Sequence, residues 1–232
     1  PVAGTGSAIS FGNQTAAGTY TVTATRAYAG CTANMTGSVA VTVNPLPTLY
    51  SVTGGGAYCS GGSGVAVGLS GSQSGATYQL RKDGVNTGSP VSGTGSAISF
   101  GNQTAGGTYT VVATITSTSC SQTMTGSVSV TVNPLPTLYT VTGGGAYCTG
   151  GSGSVVGLSG SETGVNYQLQ VNGSNTGSPV AGTGSAISFG NQTAAGTYTV
   201  IATNATTSCS LSMSGSVSIT INPLPTLQIS GS

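Results

Sequence analysis

The sequence predicts an all-β chain of tandem antiparallel two-sheet sandwiches, and three observations predict it. The first is a period: NPLPTLY begins at Asn44 and again at Asn133, and NPLPTLQ begins at Asn222, 89 residues apart each time. The second is alternation of apolar with small polar residues in short runs, with no 3.6-residue pattern. The third is punctuation, because clusters of Gly, Ser, Asn and Pro bound those runs at strand-length intervals.

Other landmarks keep the same step: Phe11, Phe100 and Phe189; Tyr20, Tyr109 and Tyr198; Cys31, Cys120 and Cys209; Cys59 and Cys148. A constant period marks an array of like units. An 89-residue unit is close to the roughly 100 residues of an immunoglobulin-like sandwich, long enough to bury a core of its own. Residues 1–45 are then the C-terminal half of one repeat, 46–134 and 135–223 are complete repeats, and 224–232 begin the next. Starting in mid-repeat, the chain reads as a segment of something longer.

Within 46–134 the strands follow in order. TLYSV (Thr48 to Val52) is the first, and VAVGL supplies Val67 and Leu69 to the core. TYQL supplies Tyr78 and Leu80, and Asp83-Gly84 after it, with Asn172-Gly173 in the next repeat, suits a type I′ hairpin. AISF supplies Ile98 and Phe100, while TYTVVATI sends Tyr109, Val111, Ala113 and Ile115 inward. SVSVTV sets Val128, Val130 and Val132 on one face. The tyrosine of GTYTV (Tyr20, Tyr109, Tyr198) opens the penultimate strand, where a tyrosine corner would bond its hydroxyl to upstream backbone; a plain core aromatic is the alternative. Six prolines (Pro45, Pro47, Pro134, Pro136, Pro223 and Pro225) end each last strand and stiffen an extended linker.

Composition removes whole classes of function. Three basic and two acidic residues make 2% of the chain, against about 25% in ordinary domains, so there is no basic footprint for nucleic acid and no acidic tail. With no His, and with Asp83 and Glu162 in different repeats, there is no general base and no carboxylate pair. No enzyme, metal or cofactor is expected, calcium included. No apolar run reaches the roughly 18 residues of a membrane-spanning helix.

The cysteines pair by spacing in this reading. Cys59 and Cys120 stand at the same separation as Cys148 and Cys209, and the counterpart partner of Cys31 falls outside the chain. A disulfide within each repeat is the expectation, and it implies an oxidising, extracellular compartment. Zinc is the rival, poorly served by two Cys per unit without His. The repeats differ most around the later cysteine, where RAYAGCTAN, ITSTSCSQT and NATTSCSLS correspond. Arg26, Tyr28, Ile115 and Asn204 therefore mark a candidate recognition loop, or a loop that tolerates change.

The ordered set of YC before Gly and Ser, GLSGS, YQL, TGTG or SGTG before AISF, AGTYTV, a lone Cys, MTGSV or MSGSV, and VTVNPLP covers nearly the whole chain. It resembles tandem Ig-like repeats of giant secreted surface proteins of Bacteroidota, including gliding-motility adhesins and other type IX secretion cargo. That resemblance implies a cell-surface, adhesive or filament-forming role without catalysis. Two functions are expected: an extracellular rod or filament whose partners are copies of itself, or an adhesin binding surface glycans or another cell through the variable loops near Cys31, Cys120 and Cys209.

Overall fold

A computed structural model describes residues 1–226, and among them every regular element is a strand. Residues 1–45 hold β1 (Gly18–Tyr20), β2 (Thr23–Thr25), β3 (Thr32–Asn34) and β4 (Val39–Val41). The next repeat holds β5 (Val52–Gly54), β6 (Gly56–Cys59), β7 (Val65–Leu69), β8 (Ala76–Lys82) and β9 (Val85–Asn86). It continues with β10 (Val91–Ser92), β11 (Ile98–Gln103), β12 (Gly107–Ile115), β13 (Ser121–Thr123) and β14 (Val128–Asn133). Each of these ten returns one period later with the same length: β15 (Val141–Gly143), β16 (Gly145–Cys148), β17 (Ser154–Leu158), β18 (Val165–Val171) and β19 (Ser174–Asn175). The remainder are β20 (Val180–Ala181), β21 (Ile187–Gln192), β22 (Gly196–Asn204), β23 (Ser210–Ser212) and β24 (Val217–Asn222).

In the repeat 135–223 one layer has the order β15-β17-β21 and the other β16-β24-β22-β18, with β19 and β20 on β18 and β23 on β22. Apolar residues of the first layer (Val141, Val156, Leu158, Ile187) meet those of the second (Tyr167, Leu169, Tyr198, Val200, Ile219) in one core. The repeat 46–134 has the same two orders, and its buried set of Val67, Leu69, Tyr78, Leu80, Tyr109, Val111, Ala113 and Val130 corresponds position by position. Met124 and Met213, unassigned from sequence, are buried as well. Val132 does not join them: it is 37% exposed, because the face of β14 turns outward past Val130. Residues 1–45 carry the counterparts of β12 to β14 alone, and their Phe11 and Val39 are exposed.

The first strand differs most from expectation. It begins at Val52 rather than Thr48, and it splits, β5 pairing in one layer and β6 in the other. Three consecutive glycines make the crossing, all with positive φ: Gly54, Gly55 and Gly56, then Gly143, Gly144 and Gly145. At Gly143 (φ +90°) a Cβ would stand 2.1 Å from the Val155 carbonyl oxygen, so only glycine fits. The hairpin turns behave as their dipeptides suggest, with φ positive at both Asp83 and Gly84 and at both Asn172 and Gly173.

By contact the chain forms two compact units. One comprises Pro1–Val52, Leu69–Ile98 and Thr110–Ser127; the other takes Thr53–Gly68, Ser99–Tyr109 and everything from Val128 onward. The second unit thus joins β6 and β14 of one repeat to the whole of the next.

Two outcomes are expected from these packing facts. Gly143→Ala should lower unfolding stability by about 2 kcal/mol or more, since it adds left-handed strain to a backbone clash. Urea titration measures it, and an unchanged midpoint would contradict the sheet-crossing role. Burial pushes the phenols of Tyr78, Tyr167 and Tyr198 above their ordinary value, in the first two against the opposing hydrogen bonds they accept from the Gln73 and Glu162 N–H groups. A raised folded pKa supports stability fully below the unfolded value near 10, and that support is lost as pH climbs through the folded one. Thermal stability should therefore drop above about pH 10, together with late tyrosinate absorbance; tyrosinate that forms with no loss of melting temperature would contradict it.

Candidate functional site: the stapled joint

The joint is built from the ends of two strands and a short proline segment. β14 ends at Asn133, immediately before Pro134, and β6 lies parallel to it in the register Val130↔Gly56 to Asn133↔Cys59. Ser60 N–H donates to the Asn133 carbonyl at 2.8 Å and fastens that end. Parallel pairing carries Cys59 to the place where the chain leaves the repeat. The same holds one period on, where Cys148 lies beside Asn222 before Pro223.

On the far side of the joint, Pro134 is exposed and Pro136 is buried. Pro136 offers no N–H, and the first available donor, Thr137 N–H, is taken by Glu162 Oε2 at 3.0 Å. In the preceding repeat Gln73 Oε1 accepts from Thr48 N–H at 3.0 Å beside buried Pro47. An amide oxygen does the work of the carboxylate, so the contact is a hydrogen bond to a strand lead-in and needs no charge.

Glu162 sits at the end of the sheet that also holds the later cysteine. Val165 pairs with Asn204 across β18 and β22, and Asn204 N–H donates to the Cys209 carbonyl at 2.9 Å. Cys209 is fully buried, and its sulfur bonds to that of Cys59 over a sequence separation of 150. One disulfide therefore spans the Pro134–Pro136 joint, and Cys31, Cys120 and Cys148 are free thiols.

This corrects the pairing read from spacing, Cys59 with Cys120 and Cys148 with Cys209. The reason is strand direction. Cys148 lies level with Asn222, beyond the Gly196 end of β22, while Cys209 lies at its Asn204 end. Nine residues of β22 at about 3.3 Å each put the two roughly 30 Å apart, against the roughly 4.4–6.8 Å between Cα atoms that a disulfide needs. The observed pair has a Cα–Cα distance of 5.5 Å. Closing 150 residues restricts the unfolded chain by about 5 kcal/mol in the chain-entropy account.

The other singled-out residues fall into place around this. Tyr109 and Tyr198 donate from their hydroxyls to the carbonyls of Ala105 (2.8 Å) and Ala194 (2.7 Å), and Tyr20 to that of Ala16 (2.9 Å). Arg26, Ile115 and Asn204 each open a hairpin loop, donating N–H to the carbonyls of Cys31, Cys120 and Cys209. The last loop residue before each cysteine is left-handed: Gly30, Ser119 and Ser208. Tyr28 lies fully in solvent. Pro225 is exposed, and of the expected next repeat residues 227–232 lie outside the described set. Among the described residues no three His, Cys, Asp or Glu side chains gather as a metal site, and no helix is long and apolar enough to cross a membrane.

No protein-family model matches the chain, and no curated protein sequence does. Solved structures similar to it include fibronectin(III)-like modules of Clostridium thermocellum CbhA, at 12% identity over 78% of this chain and 100% of that one, TM-score 0.38. Murine CEACAM1b gives 13% over 74% and 100%, TM-score 0.39, and Sidekick-1 immunoglobulin domains 1–5 give 11% over 89% and 46%, TM-score 0.38. The strand order defines the class. Three strands face a sheet whose penultimate strand opens on a hydroxyl-anchored tyrosine, and the first strand is shared between layers, which is an immunoglobulin-like sandwich.

Non-reducing peptide mapping should yield one linked pair, Cys59–Cys209, with Cys31, Cys120 and Cys148 open to alkylation. Pulled end to end, the reduced chain should extend further than the oxidised one by the 150 bypassed residues, roughly 500 Å. A Cys148–Cys209 pair in the map would overturn the assignment.

Proposed function

We propose that this chain is a segment of an extracellular structural array, a rod or filament in which residues 46–134 and 135–223 are successive immunoglobulin-like beads without catalytic activity. The observation that supports it best is the disulfide across the proline joint. Two prolines already restrict the linker's backbone, and a covalent bond from Cys59, on the strand paired with the outgoing one, to the next repeat restrains how far that linker can bend. A disulfide persists in an oxidising compartment, which supports a place outside the cell. The resemblance to secreted surface proteins of Bacteroidota belongs to the same reading.

The neutral surface supports assembly with copies of the same chain. Arg81 Nε donates to Asn86 Oδ1 at 2.9 Å, and one repeat later Gln170 Nε2 donates to Asn175 Oδ1 at the same distance. Glu162 and Gln73 exchange in the same manner at the joint. Charge is replaceable at these positions, and the Lys82–Asp83 pair at 2.7 Å joins chain neighbours on the surface, where such pairs contribute little.

The adhesin reading rests on the variable loops. One of them, the loop of Asn204, leads into the fully buried Cys209 of the joint, which leaves it poorly placed to receive a ligand. Tyr28, fully exposed, is the residue through which a glycan-binding role would be tested.

Negative-stain imaging is the deciding measurement. Threads of regular step should persist when salt shortens the Debye length from about 10 Å at 0.1 M to about 3 Å at 1 M, and reductant should make them more flexible. Threads dissolved by salt with disulfides intact would defeat the neutral-contact reading. Glycan-array binding abolished by Tyr28→Ala would favour the adhesin.

A further inference from the structure

The disulfide does not repeat within the chain, although the positions that make it do. Cys148 stands one period after Cys59, and Cys120 stands one period before Cys209. The two settings also match in detail. Cys148 ends β16 beside Asn222, as Cys59 ends β6 beside Asn133. Thr149 N–H donates to the Asn222 carbonyl at 2.9 Å, as Ser60 N–H does to Asn133 at 2.8 Å. Ile115 N–H donates to the Cys120 carbonyl at 2.9 Å, as Asn204 N–H does to Cys209. Both unpaired sulfurs therefore occupy positions whose counterparts are bonded to each other, and both are free thiols.

We propose that Cys148 and Cys120 are half-staples, each bonding a neighbouring repeat wherever the array continues. Each takes its partner at the sequence separation of 150 that joins Cys59 to Cys209. For Cys148 the partner lies C-terminal, across the joint at Pro223 and Pro225. For Cys120 it lies N-terminal, across the joint at Pro45 and Pro47. The array then carries a second covalent path alongside its backbone. That path runs from one staple to the next through the segment between the two cysteines of each repeat, and omits the remainder.

The bond forms by thiol–disulfide exchange with an external disulfide, either a small molecule or a disulfide-bearing oxidase. The Cys148 thiolate attacks one sulfur of the donor and releases the first donor thiolate. The partner cysteine's thiolate then attacks Cys148 Sγ in the mixed disulfide and expels the second. Two protein thiols are oxidised and one donor disulfide is reduced to two thiols, which take up the two protons that the protein thiols give up.

The proposal deepens the structural reading but is measured by chemistry rather than by thread shape, so either can fail alone. The test compares the natural chain with one in which residues 224–232 are replaced by a second copy of residues 135–223. Both are refolded in oxidised and reduced glutathione, alkylated and mapped without reduction. The longer chain gains two cysteines, yet its free thiols should remain those of Cys31, Cys120 and the copied Cys148. The new linked pair should be Cys148 with the copied Cys209. Cys148→Ser in the longer chain should raise the free thiols from three to four, and Cys120→Ser should lower them to two without affecting either pair. The Cys59–Cys209 pair reports in every sample that the joint has folded. Cys148 remaining open to alkylation beside an intact Cys59–Cys209 pair would overturn the proposal. So would Cys148 bonded to Cys209 of its own repeat, or loss of both staples.

Discussion

The pairing of a four-residue strand with the last strand of its repeat, and its direction, governs the rest of this structure. Because β6 runs parallel to β14, the cysteine at its end arrives where the chain leaves the repeat, in register with Asn133. Were the pairing antiparallel, the same residue would point back toward the other end of the sandwich. The three glycines leading into β6 make that direction possible. They let the first strand cross between layers, and at the first two a backbone oxygen already lies where a Cβ would clash. Sheet crossing, strand direction and the covalent bond at the joint form one causal sequence.

Much of this architecture is legible in the residues themselves. Alternation in TYTVVATI follows a pleat with one buried face, and Tyr109, Val111 and Ala113 are indeed inside. Asp83-Gly84 and Asn172-Gly173 are readable because few residue pairs accept two positive φ angles in succession. The cysteine pairing is not readable, because spacing along a chain says nothing about which end of a sheet each residue reaches. Gly54 to Gly56 are the signal that spacing overlooks. Three glycines between two β-prone segments mark a backbone passing close to its neighbours, and hence a strand that changes sheets. Val132 departs from its pattern for a simpler reason: alternation continues past the edge of the core that it serves.

The scarcity of charge has a counterpart in the hydrogen bonding. Where one repeat uses a charged side chain, the other uses an amide with the same reach and the same acceptor or donor, as at residues 73 and 162 or 81 and 170. The buried hydroxyls of Ser72 and Ser161 each donate to a backbone carbonyl and accept from a backbone N–H, so neither needs an ion nearby. A chain satisfied in this way keeps its polar contacts when counter-ions crowd the surface.

The staple also imposes an order on the making of the molecule. Cys59 is synthesised 150 residues ahead of its partner, and while the chain is unfolded Cys120 is the closer candidate by sequence. Once a sandwich has formed, its own sheet holds the two kinds of cysteine at opposite ends, as it does Cys148 and Cys209, and that nearer partner is out of reach. Folding thus acts as the sorting step, and oxidation must follow it. An oxidant arriving before the sheets have closed would trap the short loop, and the error would persist until a thiol reopened it.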